Sequence, residues 1–234
     1  MAISFVAAGT VDSGNAAITP GLPTGHALND ILIMVVQSAN ETISTPTNAT
    51  SGTWAQIVAQ AGTGTAASAG SARLAFFWMR DPGTTIGTVT VADSGNHTLA
   101  RIACYRGCKT TGNPWNAASA SMTVDTGGSN SIPTAIQTTV SGCWIIIGGA
   151  DALDSTTPQM TLDAGGNGNV GSVTQRIINN IATGTGGGIT LGDATVTAIS
   201  TNTSMRIVGT RPLIGCYVAL EPLPPERRVF ITGG

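Results

Sequence analysis

The sequence predicts an all-β protein, an antiparallel β-sandwich of jelly-roll-like character built from two pseudo-repeated halves. Three observations predict it. Helical periodicity is nearly absent, because Gly, Pro or paired Thr interrupts almost every window before a helix could nucleate. Short apolar or alternating runs recur at roughly 8–15 residue spacing between Gly-rich turns, the pattern of a sandwich or barrel. And one strand pattern is written twice: Asp30-Ile31-Leu32-Ile33-Met34-Val35-Val36 returns 113 residues on as Cys143-Trp144-Ile145-Ile146-Ile147-Gly148-Gly149. Arg101-Ile102-Ala103-Cys104-Tyr105 returns in the same order, 112 residues on, as Leu213-Ile214-Gly215-Cys216-Tyr217.

In the first half, strands are expected near 3–8, 16–19, 31–38, 54–60, 72–80, 86–92 and 99–106. Ile31 to Val36 is apolar without a break, so both its faces are expected to be buried. Arg73-Leu74-Ala75-Phe76-Phe77-Trp78-Met79-Arg80 reads the same way, an apolar run between charged ends. Thr88-Val89-Thr90-Val91 alternates with period two, as a half-exposed strand does. In the second half, strands are expected near 120–125, 135–140, 143–150, 170–178, 187–191, 194–199, 204–209 and 213–221. The Gly/Ala/Ser/Thr-rich stretches 61–71, 108–118, 126–131, 163–169 and 182–188 read as loops. Neither half has enough clear strands to close a core alone. One domain is therefore expected over 1–221, with halves 1–112 and 113–221. Residues 222–234 change character: Pro224-Pro225 favours extended polyproline geometry, giving a Pro-rich arm.

Composition narrows the function classes. Charged residues are 9% of the 234, against about 25% in ordinary soluble domains. The longest apolar run is strand-sized, far short of the roughly 20 residues of a membrane helix, so no membrane partner is expected. The polarity comes from Thr, Ser, Asn and Gln. A low-charge Thr/Gly/Ala surface is poorly protected against association, which suits a protein working inside an assembly. Net charge is −2 and the single lysine is Lys109. The arginines are scattered, so the dense basic patch that nucleic acid demands is missing. The start, Met1-Ala2-Ile3-Ser4-Phe5, lacks the basic and apolar regions of a signal peptide. The four cysteines read as small core hydrophobes of a protein made in a reducing cytosol. Cys104 and Cys108 have a CxxxC spacing with no second pair, and no cofactor or metal is expected.

Catalytic signals are weak. His26 and His97 both sit in turn-rich contexts, and no Gly-x-Ser-x-Gly elbow marks a nucleophile. Asp151 and Asp154 follow an apolar strand, where Asp is a common turn former; a calcium site with main-chain carbonyls and a carboxylate pair for glycoside hydrolysis are the less favoured readings. No catalytic residue is assigned. Trp78 and Trp144 lie within apolar strands and read as core. Trp54 and Trp115 lie nearer loops, where each reads first as a seal on the end of the sandwich and second as a glycan contact.

Several segments together resemble a recurring pattern of structural proteins of tailed bacteriophages. A "GD" followed by a hydrophobic run is matched by Asn29-Asp30-Ile31-Leu32-Ile33, and a "GW-T" turn, in shifted order, by Gly52-Thr53-Trp54. Arg73 to Arg80 matches an "RLAVFYR"-like strand. After the Thr88-Val89-Thr90-Val91 strand, an "AYRG…NPW" segment is matched by Cys104-Tyr105-Arg106-Gly107 and Asn113-Pro114-Trp115. Ala219-Leu220-Glu221-Pro222 matches a closing "ALEP". The resemblance spans about residues 28–222, and it is the order of the motifs that carries it. The second half departs from the pattern, with Gly166-Asn167-Gly168-Asn169 where a second GW turn would stand. The resemblance implies a non-enzymatic β-sandwich virion component, assembled in the host bacterial cytoplasm: a capsid decoration (cement) protein, or a minor tail or fibre component that binds host-surface glycan. It implies major capsid protein and further copies of the chain, as a homotrimer, as partners. The contacts expected from the sequence are Ile3 and Phe5 in the first strand, and Pro224, Pro225, Arg227, Arg228 and Phe230 in the arm.

Overall fold

A computed structural model describes residues 2–127, 130–131, 133–165, 169–199, 201–202, 205–209 and 212–224. Twelve strands carry the architecture. The first half contributes β1 (Ser4–Ala8), β2 (Asp12–Gly14), β3 (Ile31–Ser38), β4 (Ala55–Thr63), β5 (Ala72–Arg80) and β6 (Thr98–Arg106). The second contributes β7 (Trp115–Ala118), β8 (Thr123–Asp125), β9 (Trp144–Asp151), β10 (Thr174–Ile181), β11 (Gly187–Thr195) and β12 (Leu213–Leu220). The first six form one antiparallel sheet ordered β1-β6-β3-β5-β4, with β2 also on β6; the second six repeat it as β8-β12-β9-β11-β10, with β7 also on β12. The antiparallel sandwich with two pseudo-repeated halves is therefore the observed architecture. Its layers are made by stacking one half on the other, whereas a jelly roll winds its chain between layers.

The repeat extends to irregularities. Counted along the ladders, β3 maps onto β9 at an offset of 113, while β5 and β6 map onto β11 and β12 at 115. A register shift between Gln56 and Val58, opposite Phe77 and Phe76, recurs between Gln175 and Ile177, opposite Gly192 and Leu191. Another, between Phe5 and Ala7 opposite Tyr105 and Cys104, recurs between Trp115 and Ala117 opposite Leu220 and Ala219. Bulges are local departures from pairing that have to be specified, so two placed alike in both halves make the halves structural repeats.

This register corrects the Cys-Tyr correspondence. The match of Cys104-Tyr105 to Cys216-Tyr217 is three residues out of step with the ladder, and an odd slip turns side chains to the opposite face. Tyr105 accordingly points into the core between the sheets, while Tyr217 points outward.

Burial explains why strands form where they do. Every residue of β3 and β12 is buried, as their unbroken apolar character demands. Along β3, Ile31, Ile33 and Val35 face the second sheet, where they share a core with Phe76, Ile146, Ile189, Leu191 and Val218. Each such buried side chain contributes roughly 1.5–3 kcal/mol. The alternate residues Leu32, Met34 and Val36 face away and are covered by Ile18, Ile43, Trp54 and Ile86 from the first half's own loops. On the second sheet, Ile145 and Ile147 are covered by Met160, Met205 and Ile207. The layers are thus loop, sheet, sheet, loop. Gly148 of β9 fits the central layer because a Cβ there would run into the Phe76 ring.

Other expectations shift in detail. The run at 16–19 makes only the isolated bridge Ile18–Val91, and 86–92 shortens to Val89–Thr90 paired with Thr47–Asn48. The strands expected at 187–191 and 194–199 are one, β11. Part of the loop expected at 108–118 is β7.

Candidate functional site

One end of the first sheet gathers most of the chemistry-bearing side chains of that half. The chain enters β3 through a tight turn, with Asn29 at φ 69°, a left-handed conformation that Asn tolerates. The next residue, Asp30, is buried and anchors the turn. Its carboxylate accepts from the Ala27 N–H at 2.9 Å and from Arg106 through Nε at 2.9 Å and a terminal nitrogen at 2.6 Å. This forked pair is the strong form of a charge-assisted hydrogen bond, and it raises the Arg106 pKa. Asp81, just past β5, is buried as well. It accepts from the Gly83 N–H at 2.7 Å and pairs with His26 through Nδ1. Two buried carboxylates, each with a cationic or imidazole partner, therefore tie the 22–30 segment to the sheet.

Between these pairs stands Leu28, 62% exposed. It lines both hollows of this end. The larger, about 650 Å³, is bounded by Leu22, His26, Leu28, Asp81, Thr84 and Ile86. The smaller, about 210 Å³, is bounded by Leu28, Asp30, Arg106, Cys108, Thr110 and Leu223. Leu223 brings in the root of the C-terminal arm. The Leu223 N–H donates to Gly107 O at 2.8 Å, the Lys109 N–H donates to Glu221 O at 2.9 Å, and Lys109 pairs with Glu221 at 3.3 Å. Residues 222–224, the last described, thus lie beside an exposed apolar side chain and two concavities.

The contacts expected from the first strand are placed differently. Ile3 is 3% exposed and belongs to the core between the sheets. Phe5 packs edge-on against Tyr105 at 5.7 Å under the Arg176 guanidinium, 4.5 Å from its ring. Both are spent on joining the halves. Pro224 is exposed and is the last residue described; Pro225, Arg227, Arg228 and Phe230 lie outside the described residues. Trp54 is 3% exposed, with its indole N–H donating to Asn48 at 2.7 Å, so it seals the outer face and offers no sugar platform. Trp115 is half-buried, edge-on to Trp78 at 5.2 Å.

The opposite end holds a polar seam between the halves. His97 is fully buried, 2.9 Å from Gln37 through Nε2 and 3.0 Å from Asn96 through Nδ1. Asn96 accepts from the Thr185 N–H at 2.8 Å, and Arg101 donates to Asn179 at 3.0 Å. Burial lowers the His97 pKa to about 4 and keeps it neutral. Asp151 is fully buried and its pKa is raised to about 6, again by burial, while Asp154 is exposed. The expected Asp151/Asp154 turn therefore separates one strand-end carboxylate from one in solvent. All four cysteines are free and buried, and burial raises their thiol pKa values, to about 11 for Cys143 and about 12 for Cys108 and Cys216. Such thiols pack; they do not react. Among the described residues no three His, Cys, Asp or Glu side chains cluster as a metal centre, and no helix is long and apolar enough to cross a membrane.

Comparison with known protein families, with curated proteins and with solved structures finds no match. Sequence reasoning missed the His26–Asp81 pair, whose members are 55 residues apart with no motif between them, and the exposed Leu28.

Proposed function

We propose that the chain is a non-enzymatic structural protein of a bacteriophage virion, a capsid decoration protein that binds neighbouring subunits of the head. The observation that carries the reading is the docking end of the first sheet, where exposed Leu28, two hollows and the root of the C-terminal arm converge. Three features support it. A sandwich fused through a shared core is a stiff platform. The surface carries little charge to oppose association. The arm, with its Arg227, Arg228 and Phe230, starts where an apolar contact is on offer. The partners are major capsid protein and further copies of the chain as a homotrimer, a closed arrangement that reuses one interface.

The test compares capsid binding of the whole chain with that of Leu28→Glu and of a chain ending at Pro224. Both changes lie at the surface, so circular dichroism and melting temperature should match the parent. At least a tenfold loss of capsid affinity in both is expected. Parent-like saturation by both variants would overturn the docking end as the contact. A second reading, a minor tail or fibre component binding host glycan, retains only Trp115 of its two aromatics, and a glycan array tests it.

A further inference from the structure

The larger hollow at the docking end suits an apolar occupant. Its carboxylate and imidazole are already used, because Asp81 accepts from the Gly83 N–H and pairs with His26. The Thr84 hydroxyl lies 3.0 Å from that of Ser51. What its walls still offer is Leu22, Leu28 and Ile86. Leu28 is fixed at its root: a Cβ at Gly83, held at φ 72°, would lie 2.9 Å from Leu28 Cβ. An exposed apolar side chain is thus held in place beside a hollow of about 650 Å³.

The described chain heads toward this hollow. Pro222 bridges antiparallel to Cys108, and the Leu223 N–H donates to Gly107 O. Residues 222–223 therefore run back past Cys108 and Gly107 toward Arg106. The Arg106 guanidinium donates to Gly25 O at 2.8 Å, so that direction leads to the 22–30 segment. Leu223 and Leu28 wall the smaller hollow, and Leu28 also walls the larger one. Beyond Pro224 the sequence continues Pro225-Glu226-Arg227-Arg228-Val229-Phe230-Ile231. Glu226 follows Pro224 by two residues, and the Arg106 guanidinium on that path is still partly exposed. Phe230 follows Pro224 by six residues, a reach of roughly 20 Å in extended chain. An acid and then an apolar run in the arm thus match a base and then an apolar hollow on the surface.

We propose that the chain's own arm folds back over the docking end, with Glu226 on Arg106 and Phe230 in the larger hollow against Leu22, Leu28 and Ile86. This deepens the capsid reading and rests on it only in one respect: the surface offered to the head is the sheet end with the arm laid across it.

The test uses the full chain without capsids. Methyl NMR of leucine- and isoleucine-labelled protein is compared between the parent and Phe230→Leu, which removes the ring and keeps an apolar side chain. The ring should displace the Leu22, Leu28 and Ile86 methyl signals at every protein concentration. It should leave those of Ile145 and Ile147, on the outer face of the second sheet, unmoved. Trypsin cuts after Arg227 and Arg228, and a docked arm is cut only when it opens. Leu28→Glu should therefore release its C-terminal peptide at least tenfold faster than the parent. Unmoved methyls or equal cleavage rates would overturn the docking. Displacements that vanish on dilution would overturn the fold-back in favour of a second copy's arm. Capsids take no part, so a parent that fails to bind them would sink the proposed function and leave these results standing. Failure of these results would leave Leu28 itself as the capsid contact.

Discussion

Replacing Asp151 by Asn should stabilise the protein, and only above acidic pH. Asp151 is fully exposed to burial's cost: it has no accessible surface, and one of its oxygens has no partner. Its pKa rises from 3.8 to about 6. The folded state therefore holds the proton more tightly than the unfolded chain does. Below pH 3.8 both states are protonated and Asp151 costs nothing. The cost grows as pH rises toward 6 and is fully present above it. The rise from 3.8 to about 6 makes that cost about 3 kcal/mol. Asn keeps the shape and carries no charge. At roughly 2–4 °C per kcal/mol for a chain of this size, Asp151→Asn should melt about 6–12 °C higher than the parent at pH 7.5. At pH 4 the difference should shrink to about 1–2 °C. Thermal unfolding by circular dichroism across pH 4–8 reads this directly. A difference that does not change with pH, or a variant less stable at pH 7.5, would refute the reasoning.

Three further outcomes follow from the packing and the charges. His97 is held neutral with a pKa of about 4 against an ordinary 6.5, so the unfolded chain takes up its proton first and His97 costs stability as pH falls from 6.5 to 4. Asp151 has the opposite slope in that window, so urea unfolding of the parent should change little from pH 6 to 4, whereas Asp151→Asn should lose about 2 kcal/mol. Gly148→Ala forces the Phe76 ring aside and should cost about 1–3 kcal/mol by urea unfolding, with Phe76→Leu in the same chain recovering part of it. The four cysteines, all buried, should not react with a thiol reagent in the native protein and should all react in denaturant.

Much of the fold can be read from residue patterns because β3 and β5 are apolar on both faces between polar ends. That signature depends on the strand alone, and both strands fall on their expected limits. Elements held by a partner are less readable. Asp12-Ser13-Gly14 has no strand preference and becomes β2 only by pairing with Leu99 and its neighbours on β6. The interruption that divides 187–199 in the sequence is filled by Gly192, which pairs with Ile147 in the unbroken β9 ladder and leaves its side-chain space to Leu162 and the β10 backbone. The duplication is visible as repeated apolar runs, but its register is not: chance recurrence of Cys-Tyr points to the wrong offset, and the ladder corrects it. The candidate site was harder still. Asp30 and Arg106 are visible as a charged residue at a strand start and one at a strand end, yet their bidentate pairing and the His26–Asp81 pair exist only once β3, β5 and β6 lie side by side. Ile3 and Phe5, expected from the sequence as partner contacts, pack instead against the second half.

The central claim, that this chain works as an assembled part of a virion, is tested most directly by co-sedimenting it with empty phage capsids and, separately, with isolated tails. Saturable binding to capsids at a stoichiometry set by the lattice is the predicted result. Binding to tails alone would contradict the capsid assignment, and binding to neither would contradict the virion reading as a whole.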